Sequence, residues 1–300
     1  MAAKALVWFK RDLRVRDHAP LAMAADCEAA AAVFVIEDEW LQSPEFDAQH
    51  LDFALASLIP LRESLAARGL PLLVKVGSVL PVFDALRKDF TFTHLLSHEE
   101  TGQGWTYQRD RDVAKWCRTR GVIWKETPQT GVVRGLKSRN GWAGKWAARM
   151  NATVLSTPQA FAGARLHMEV IPTMQSLGIS NRRSLPAAGE GAARDVLGKF
   201  LGGGGRDYRR SISSPLTAEE GCSRLSAHLA FGTVSMRSVH QATEAAITAT
   251  NDRELAYGLR GFAGRLRWHC HFMRFVSRNC GPVLAQEVYQ VHDIARVLSL

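Results

Sequence analysis

Three groups of residues have types and spacings suited to chemistry. The first is Cys222-Ser223-Arg224-Leu225-Ser226, where a helical pattern begins. Hydroxyls, backbone amides, the positive end of a helix and a guanidinium together suit a pyrophosphate. The same run also reads as an ordinary capped helix. The second group is Lys10-Arg11-Asp12-Leu13-Arg14-Val15-Arg16-Asp17-His18, with His98-Glu99-Glu100-Thr101-Gly102 further along. Its charges suit a ligand or interdomain clamp, and equally a surface ion-pair network. The third is the cysteine and histidine set. The five cysteines, Cys27, Cys117, Cys222, Cys270 and Cys280, are scattered and never spaced as CxxC. Only Cys270, between His269 and His271, comes near a ligand cluster, and adjacent side chains diverge on a helix. No metal site is expected, and the cysteines should be reduced and packed.

The elements that must position these groups follow from hydrophobic periodicity. Ala5–Phe9, Ala31–Ile36, Leu72–Val76, Thr93–Ser97 and Val122–Glu126 read as short buried strands. Helical patterns lie between them at Leu21–Cys27, Phe46–Arg68, Val79–Lys88 and Thr106–Arg120. Pro60 should bend or break the second of these, and Ser78 should cap the third by accepting an orphan amide. Strands alternating with helices predict an α/β doubly wound, parallel five-stranded sheet, Rossmann-like, over residues 1–127. Such sheets take ligands at the carboxyl ends of their strands, and the Lys10–His18 and His98–Gly102 segments lie at two such ends. Neither GxGxxG nor a Walker A motif occurs.

Residues 128–191 read as a connector punctuated by Pro128, Pro158, Pro172 and Pro186, with a boundary at Leu185–Gly191. A helix then begins over Ala192–Phe200. Gly202–Gly205 reads as a flexible loop, since no strand precedes it. Leu225–Ala230, Ser235–Thr250 and Asn251–Val276 are helical, so 192–300 is expected to be an all-α domain.

The chain has 300 residues and carries 46% hydrophobic and 22% charged residues, which excludes disordered, collagen-like and disulfide-scaffold classes. No apolar run approaches the ~18 residues of a membrane helix, and no signal-peptide core follows the first methionine. A cytoplasmic protein without membrane contact is expected. The net charge is +9, and it is unevenly placed. From Thr127 to Met168 there is no acid against Arg134, Lys137, Arg139, Lys145, Arg149 and Arg165. From Leu255 to Gln286 there is none against Arg260, Arg265, Arg267, Arg274 and Arg278. Such stretches suit phosphate backbones or a solvated basic face.

Two stretches carry a family resemblance. Val7-Trp8-Phe9-Lys10-Arg11-Asp12-Leu13-Arg14-Val15-Arg16-Asp17 resembles the opening of the photolyase/cryptochrome family. Cys222-Ser223-Arg224-Leu225-Ser226-Ala227-His228-Leu229-Ala230-Phe231-Gly232-Thr233-Val234-Ser235 resembles its flavin-phosphate segment. Their order and separation also match, and the likeness runs over about residues 4 to 273.

The resemblance implies FAD as cofactor, held by Tyr208, Cys222, Ser223, Arg224, Leu225, Ser226, Arg265, Trp268 and Phe272. An antenna chromophore of folate or flavin type in the α/β cleft is also implied. Trp268 matches the tryptophan of a WREF-like element, but His269 and Cys270 replace its Arg and Glu, and Arg265 stands where an acid is common. The implied activity is light-driven repair of pyrimidine dimers in damaged DNA by a monomer. A cryptochrome-type light sensor and, outside the family, a non-catalytic nucleotide-binding α/β module are the alternatives. Val276–Leu300 matches nothing in the family, so a truncated or frame-altered chain with an incomplete helical domain is expected. No catalytic residue is assigned.

Overall fold

The computed structural model describes residues 3–102, 104–134, 136 and 140–279. Five parallel strands, β1 (Lys4–Phe9), β2 (Ala29–Ile36), β3 (Leu72–Val76), β4 (His94–His98) and β5 (Ile123–Thr127), form one sheet in the order β3-β2-β1-β4-β5. Side chains alternate across the pleat. Ala5, Val7 and Phe9 enter one core with helices α1 (Ala19–Ala25) and α3 (Ala48–Ala66). Leu6 and Trp8 enter the other, with α4 (Val79–Asp89) and α5 (Gly104–Arg120). The predicted doubly wound sheet is therefore present, with both faces covered.

Local expectations fail where a tertiary partner overrides the local signal. The short α2 (Asp38–Leu41) had no recognisable pattern. Helix α3 runs unbroken through Pro60, capped by the Asp47 carboxylate at Gln49 N. Ser78 occupies the N-cap of α4, but its hydroxyl donates to Glu39 Oε1 at 2.8 Å instead of capping.

Beyond β5, α6 (Trp142–Met150) interrupts the segment read as a connector, and α7 (Gly189–Lys199) begins inside the Leu185–Gly191 stretch read as a boundary. Then come α8 (Tyr208–Ser211), α9 (Pro215–Gly221), α10 (Ser226–Ala230), α11 (Met236–Ala249) and α12 (Arg253–Asn279). A third core joins them, built on Trp142, Trp146, Leu197, Phe200, Tyr208, Leu225, Val239, Leu259, Phe262 and Cys270.

The glycine run read as a flexible loop is an ordered wide turn, Phe200–Gly204, at the end of α7. Its order comes from packing. A Cβ on Gly258 would sit 2.0 Å from the Gly205 carbonyl oxygen, so only glycine lets α12 lie this close to the turn. Among the described residues, no helix is long and apolar enough to cross a membrane. Lys137, Arg139 and residues 280–300, which include Cys280, lie outside the described residues, as do the side chains of Arg274 and Arg278.

Candidate functional site

Two neighbouring regions gather the chemistry-bearing residues. The first lies at the carboxyl ends of β1, β2, β4 and β5, where strand order reverses. Asp12, just past β1, is fully buried. Its Oδ2 accepts from His18 Nε2 at 3.0 Å and His98 Nδ1 at 2.7 Å, and its Oδ1 from Lys10 N at 2.7 Å. Burial alone would raise this carboxyl, but the two imidazoles outweigh it and hold it well below the usual range. Burial pushes the His98 imidazole down to about 3 and lowers His18 as well.

Asp12, His18 and His98 bring ligand-capable atoms within 4.8 Å of one another. Their hydrogen bonds argue against a metal. His18 Nδ1 accepts the Leu21 amide at 3.2 Å, so its Nε2 carries the proton and donates to Asp12. A ligating nitrogen must give that proton up.

Around this triad lies a buried ionic network. The Arg109 guanidinium donates to Glu37 Oε1 at 2.6 Å, Glu100 Oε2 at 3.2 Å and Asp110 Oδ1 at 2.9 Å. It also lies over the Trp8 ring, 4.8 Å from the centroid, and Lys10 Nζ lies 4.6 Å from the same centroid. Arg134 joins Glu126, Glu99 and Asp110 at the outer rim. Glu37 Oε2 is buried without a partner among the described residues. Burial pushes Glu37 up to about 7 despite Arg109. Glu100 moves the other way: burial opposes ionisation, yet Arg109, Lys10 and Arg11 draw it down to about 2.

The second half of the Lys10–His18 turn clamps the sheet to the helices. Arg14, almost fully buried, donates to the carbonyls of Gly232 at 3.0 Å, Asp17 at 3.0 Å and Arg16 at 3.1 Å. Arg237 of α11 donates to Asp17 Oδ1 at 3.0 Å, and Leu13 N to the Phe231 carbonyl at 3.0 Å. Gly232 has φ +62°, and a Cβ there would stand 2.2 Å from the Arg11 carbonyl oxygen. Phe231 then packs on Phe53, with ring centroids 5.5 Å apart. Of the two readings of this turn, the clamp describes it.

The residues assigned to FAD fall into two sets. Tyr208 is buried between Phe200 and Phe262, with centroids 5.6 and 5.5 Å away. Burial pushes its hydroxyl up, the Cys222 thiol adds to this and the Arg265 guanidinium opposes it, so the three share one neighbourhood. Arg224 has φ +54°, a left-handed residue that turns the chain from Ser223 into α10. Ser223 Oγ accepts Leu225 N at 3.4 Å, and Leu225 is anchored in the helical core. Arg224, Ser226 and Arg265 are exposed, with no ion pair or hydrogen bond from their side chains among the described residues.

Trp268 and Phe272 lie further along α12, 48% and 47% exposed, with ring centroids 5.7 Å apart. The departures from the expected motif also have a structural place. Cys270 is fully buried beside Trp146, and His269 faces outward. Among the described residues the Arg224 and Arg265 guanidiniums and the Ser226 hydroxyl are unpaired, a donor set that suits a pyrophosphate, and the half-exposed Trp268 and Phe272, packed on each other and on His271, leave ring surface that suits a flavin.

Sequence reasoning located the two strand ends but missed Glu37, Glu190 and Arg237, and it put Arg134 in a basic stretch suited to phosphate backbones, whereas the structure pairs it with Glu99, Asp110 and Glu126. Glu37 follows β2 directly, so the rule for strand ends would have found it. Arg237 and Glu190 become partners of the turn only through tertiary docking.

A family model described as DNA photolyase matches residues 5–137. A deoxyribodipyrimidine photo-lyase of Halobacterium salinarum is 29% identical over 290 residues, covering 88% of this chain and 59% of the relative. A class III photolyase from Agrobacterium tumefaciens superposes with TM-score 0.77 at 19% identity, covering 93% of this chain and 60% of that one. A Synechocystis cryptochrome gives 0.74 at 20%, covering 92% and 62%. At such identities the two structures speak to fold alone. The chain spans about three fifths of the length of the relatives it matches. The family model thus takes in the α/β sheet and the clamp turn, and over most of its length the chain is similar to proteins of the DNA photolyase/cryptochrome family.

Proposed function

We propose that this chain serves flavin-dependent, light-driven repair of pyrimidine dimers in DNA. The observation that carries the proposal is the turn Ser223–Ser226 with Arg265 of α12 in the same neighbourhood: two exposed guanidiniums, unpaired among the described residues, one on a core-anchored turn and one on a helix. When bound and fully reduced, FAD supplies the light absorption and the electron that splits the dimer, with the electron returned afterwards. The chain's own residues bind and orient. Arg224, Arg265 and the Ser226 hydroxyl hold the pyrophosphate, and Leu225 fixes their loop to the core. Tyr208 locks α8 onto α12, and Trp268 with Phe272 offers apolar area for the rings. Exposed Arg260 and Arg267 on α12 and Lys145 on α6 suit phosphate contacts with duplex DNA, which fix position without reading sequence. Extrusion of a damaged base costs less than that of a normal one.

The test is light-dependent loss of dimers from irradiated duplex DNA, with purified protein and reduced flavin. Repair under blue or near-UV light and none in the dark is the expected result; no turnover with flavin bound overturns the repair reading. That second outcome would favour a cryptochrome-type sensor, a reading supported by the inward turn of Cys270 where the family places a polar side chain. Failure to acquire a blue-absorbing flavin spectrum would sink both and leave a nucleotide-binding module.

A further inference from the structure

A cleft of about 250 Å³ lies between α3, α7 and the turn after β1, and its lining includes none of the Arg109 ionic network and none of the Ser223–Ser226 turn. Arg16 from the turn, Arg68 after α3 and Arg194 of α7 converge on it. We propose that this cleft binds a phosphorylated small molecule of the mononucleotide class, with its phosphate held by these three guanidiniums.

The charge balance supports an anion. The only acid in the lining is Glu190, and its carboxylate is already engaged, accepting from Val15 N at 2.9 Å and Arg16 N at 3.3 Å. Among the described residues, no carboxylate pairs with Arg16, Arg68 or Arg194. Arg68 donates through Nη1 to the Ser64 carbonyl, while its Nε is buried without an acceptor.

Two neutral donors lie in the same wall. The hydroxyls of Ser64 and Thr157 have no partner among the described residues. The first turn of α7 reaches the cleft through Glu190 and Gly191, adding the positive end of an eleven-residue helix.

The rest of the lining selects more than a bare ion. Val15 and Pro60 add a small apolar surface to a mainly polar lining, with Leu13 and Leu61 buried behind it. A second hollow, lined by Val154, Leu155 and Ser156, adjoins the first and shares Arg16 and Thr157 with it. Planar guanidiniums recognise phosphate bidentately, and three converging from separate elements are not a solvated helix face.

Equilibrium titration of the full chain with AMP, adenosine and inorganic phosphate tests this. AMP should bind at least tenfold more tightly than either of the other two. The affinity should fall with added salt, and Arg16→Ala/Arg194→Ala should lose at least tenfold. Both arginines are exposed, so the double variant should fold; an unchanged thermal midpoint without ligand checks this. Arg224→Ala, in the turn proposed for flavin, should leave AMP affinity unaltered, which separates this cleft from the flavin reading. Equal binding of adenosine and AMP, retention of affinity in the double variant, or loss in Arg224→Ala would each overturn the proposal. Displacement of AMP by undamaged duplex DNA would overturn it too, by assigning the arginines to DNA.

Discussion

Two carboxylates beside one guanidinium titrate in opposite directions, and the difference is geometric. Glu100 receives Arg109 Nη2 and also feels Lys10 and Arg11, so attraction exceeds desolvation. Glu37 shares the same arginine but leaves Oε2 buried and unpartnered, so desolvation exceeds attraction. The consequences for stability have opposite signs. Glu37, raised from 4.5 to about 7, binds a proton in the folded chain that the unfolded chain has released, so its contribution is present below pH 4.5 and is lost as pH rises to 7. Glu100, lowered to about 2, contributes above pH 4.5 and loses that contribution as pH falls towards 2. Glu37→Gln should therefore flatten the decline in stability between pH 5 and 7.5 by roughly 2–3 kcal/mol while leaving the acid limb below pH 4 in place. Urea unfolding of both proteins across that range reads it. Parallel stability curves for the two would show that Glu37 is solvated in the native state.

At the scale of elements, what the sequence made legible was whatever a strand or helix decides by itself. Apolar runs set all five strands within two residues of their ends; β1 and β2, buried on both faces, are apolar almost throughout, while the edge strand β5 keeps only part of that pattern. The start of α10 was legible to within one residue from the helical pattern, whereas a role for the Ser223–Ser226 turn came only from the family resemblance. The rest was set by partners distant in sequence. Ser78 gives up its capping role because Glu39, on a helix from another strand connection, offers an acceptor. Gly202–Gly205 looks flexible until Gly258 closes on it, a contact that links residues 53 positions apart between Gly205 and Gly258. Gly232 is the sharpest case, because its positive φ and the nearby Arg11 carbonyl together allow no side chain. Gly232→Ala should destabilise the protein by about 2 kcal/mol or more, through left-handed strain and displacement of the Arg11–Asp12 backbone. Thermal unfolding followed by circular dichroism would register this as a midpoint several degrees lower. An unchanged midpoint would mean that the clamp turn yields freely at Arg11.

Across the whole molecule, the sheet and the helices meet through a small set of buried polar contacts, and these decide whether the chain unfolds as one unit. Arg14 binds the Gly232 carbonyl, Arg237 binds Asp17, and Glu190 binds the amides of Val15 and Arg16, so every contact converges on one turn after β1. Asp17 is nearly buried, and Arg237 also donates to the carbonyls of Arg149 and Thr153. Removing that guanidinium leaves a buried carboxylate with, among the described residues, the Leu155 amide as its one remaining donor, a loss that exceeds the worth of an exposed ion pair. Arg237→Ala should accordingly cost about 2 kcal/mol and also split the transition. In the unaltered protein, tryptophan fluorescence and far-ultraviolet circular dichroism should report a single coincident midpoint. In the variant, the helices should melt first, because their core keeps its own packing but loses its tether to the sheet. The Ser223–Ser226 turn lies within a few residues of Phe231 and Gly232, so the same change should weaken flavin retention although Arg237 is not among the residues assigned to hold it. Coincident transitions in the variant would instead mean that the aromatic contact of Phe231 with Phe53 is enough to couple the two regions.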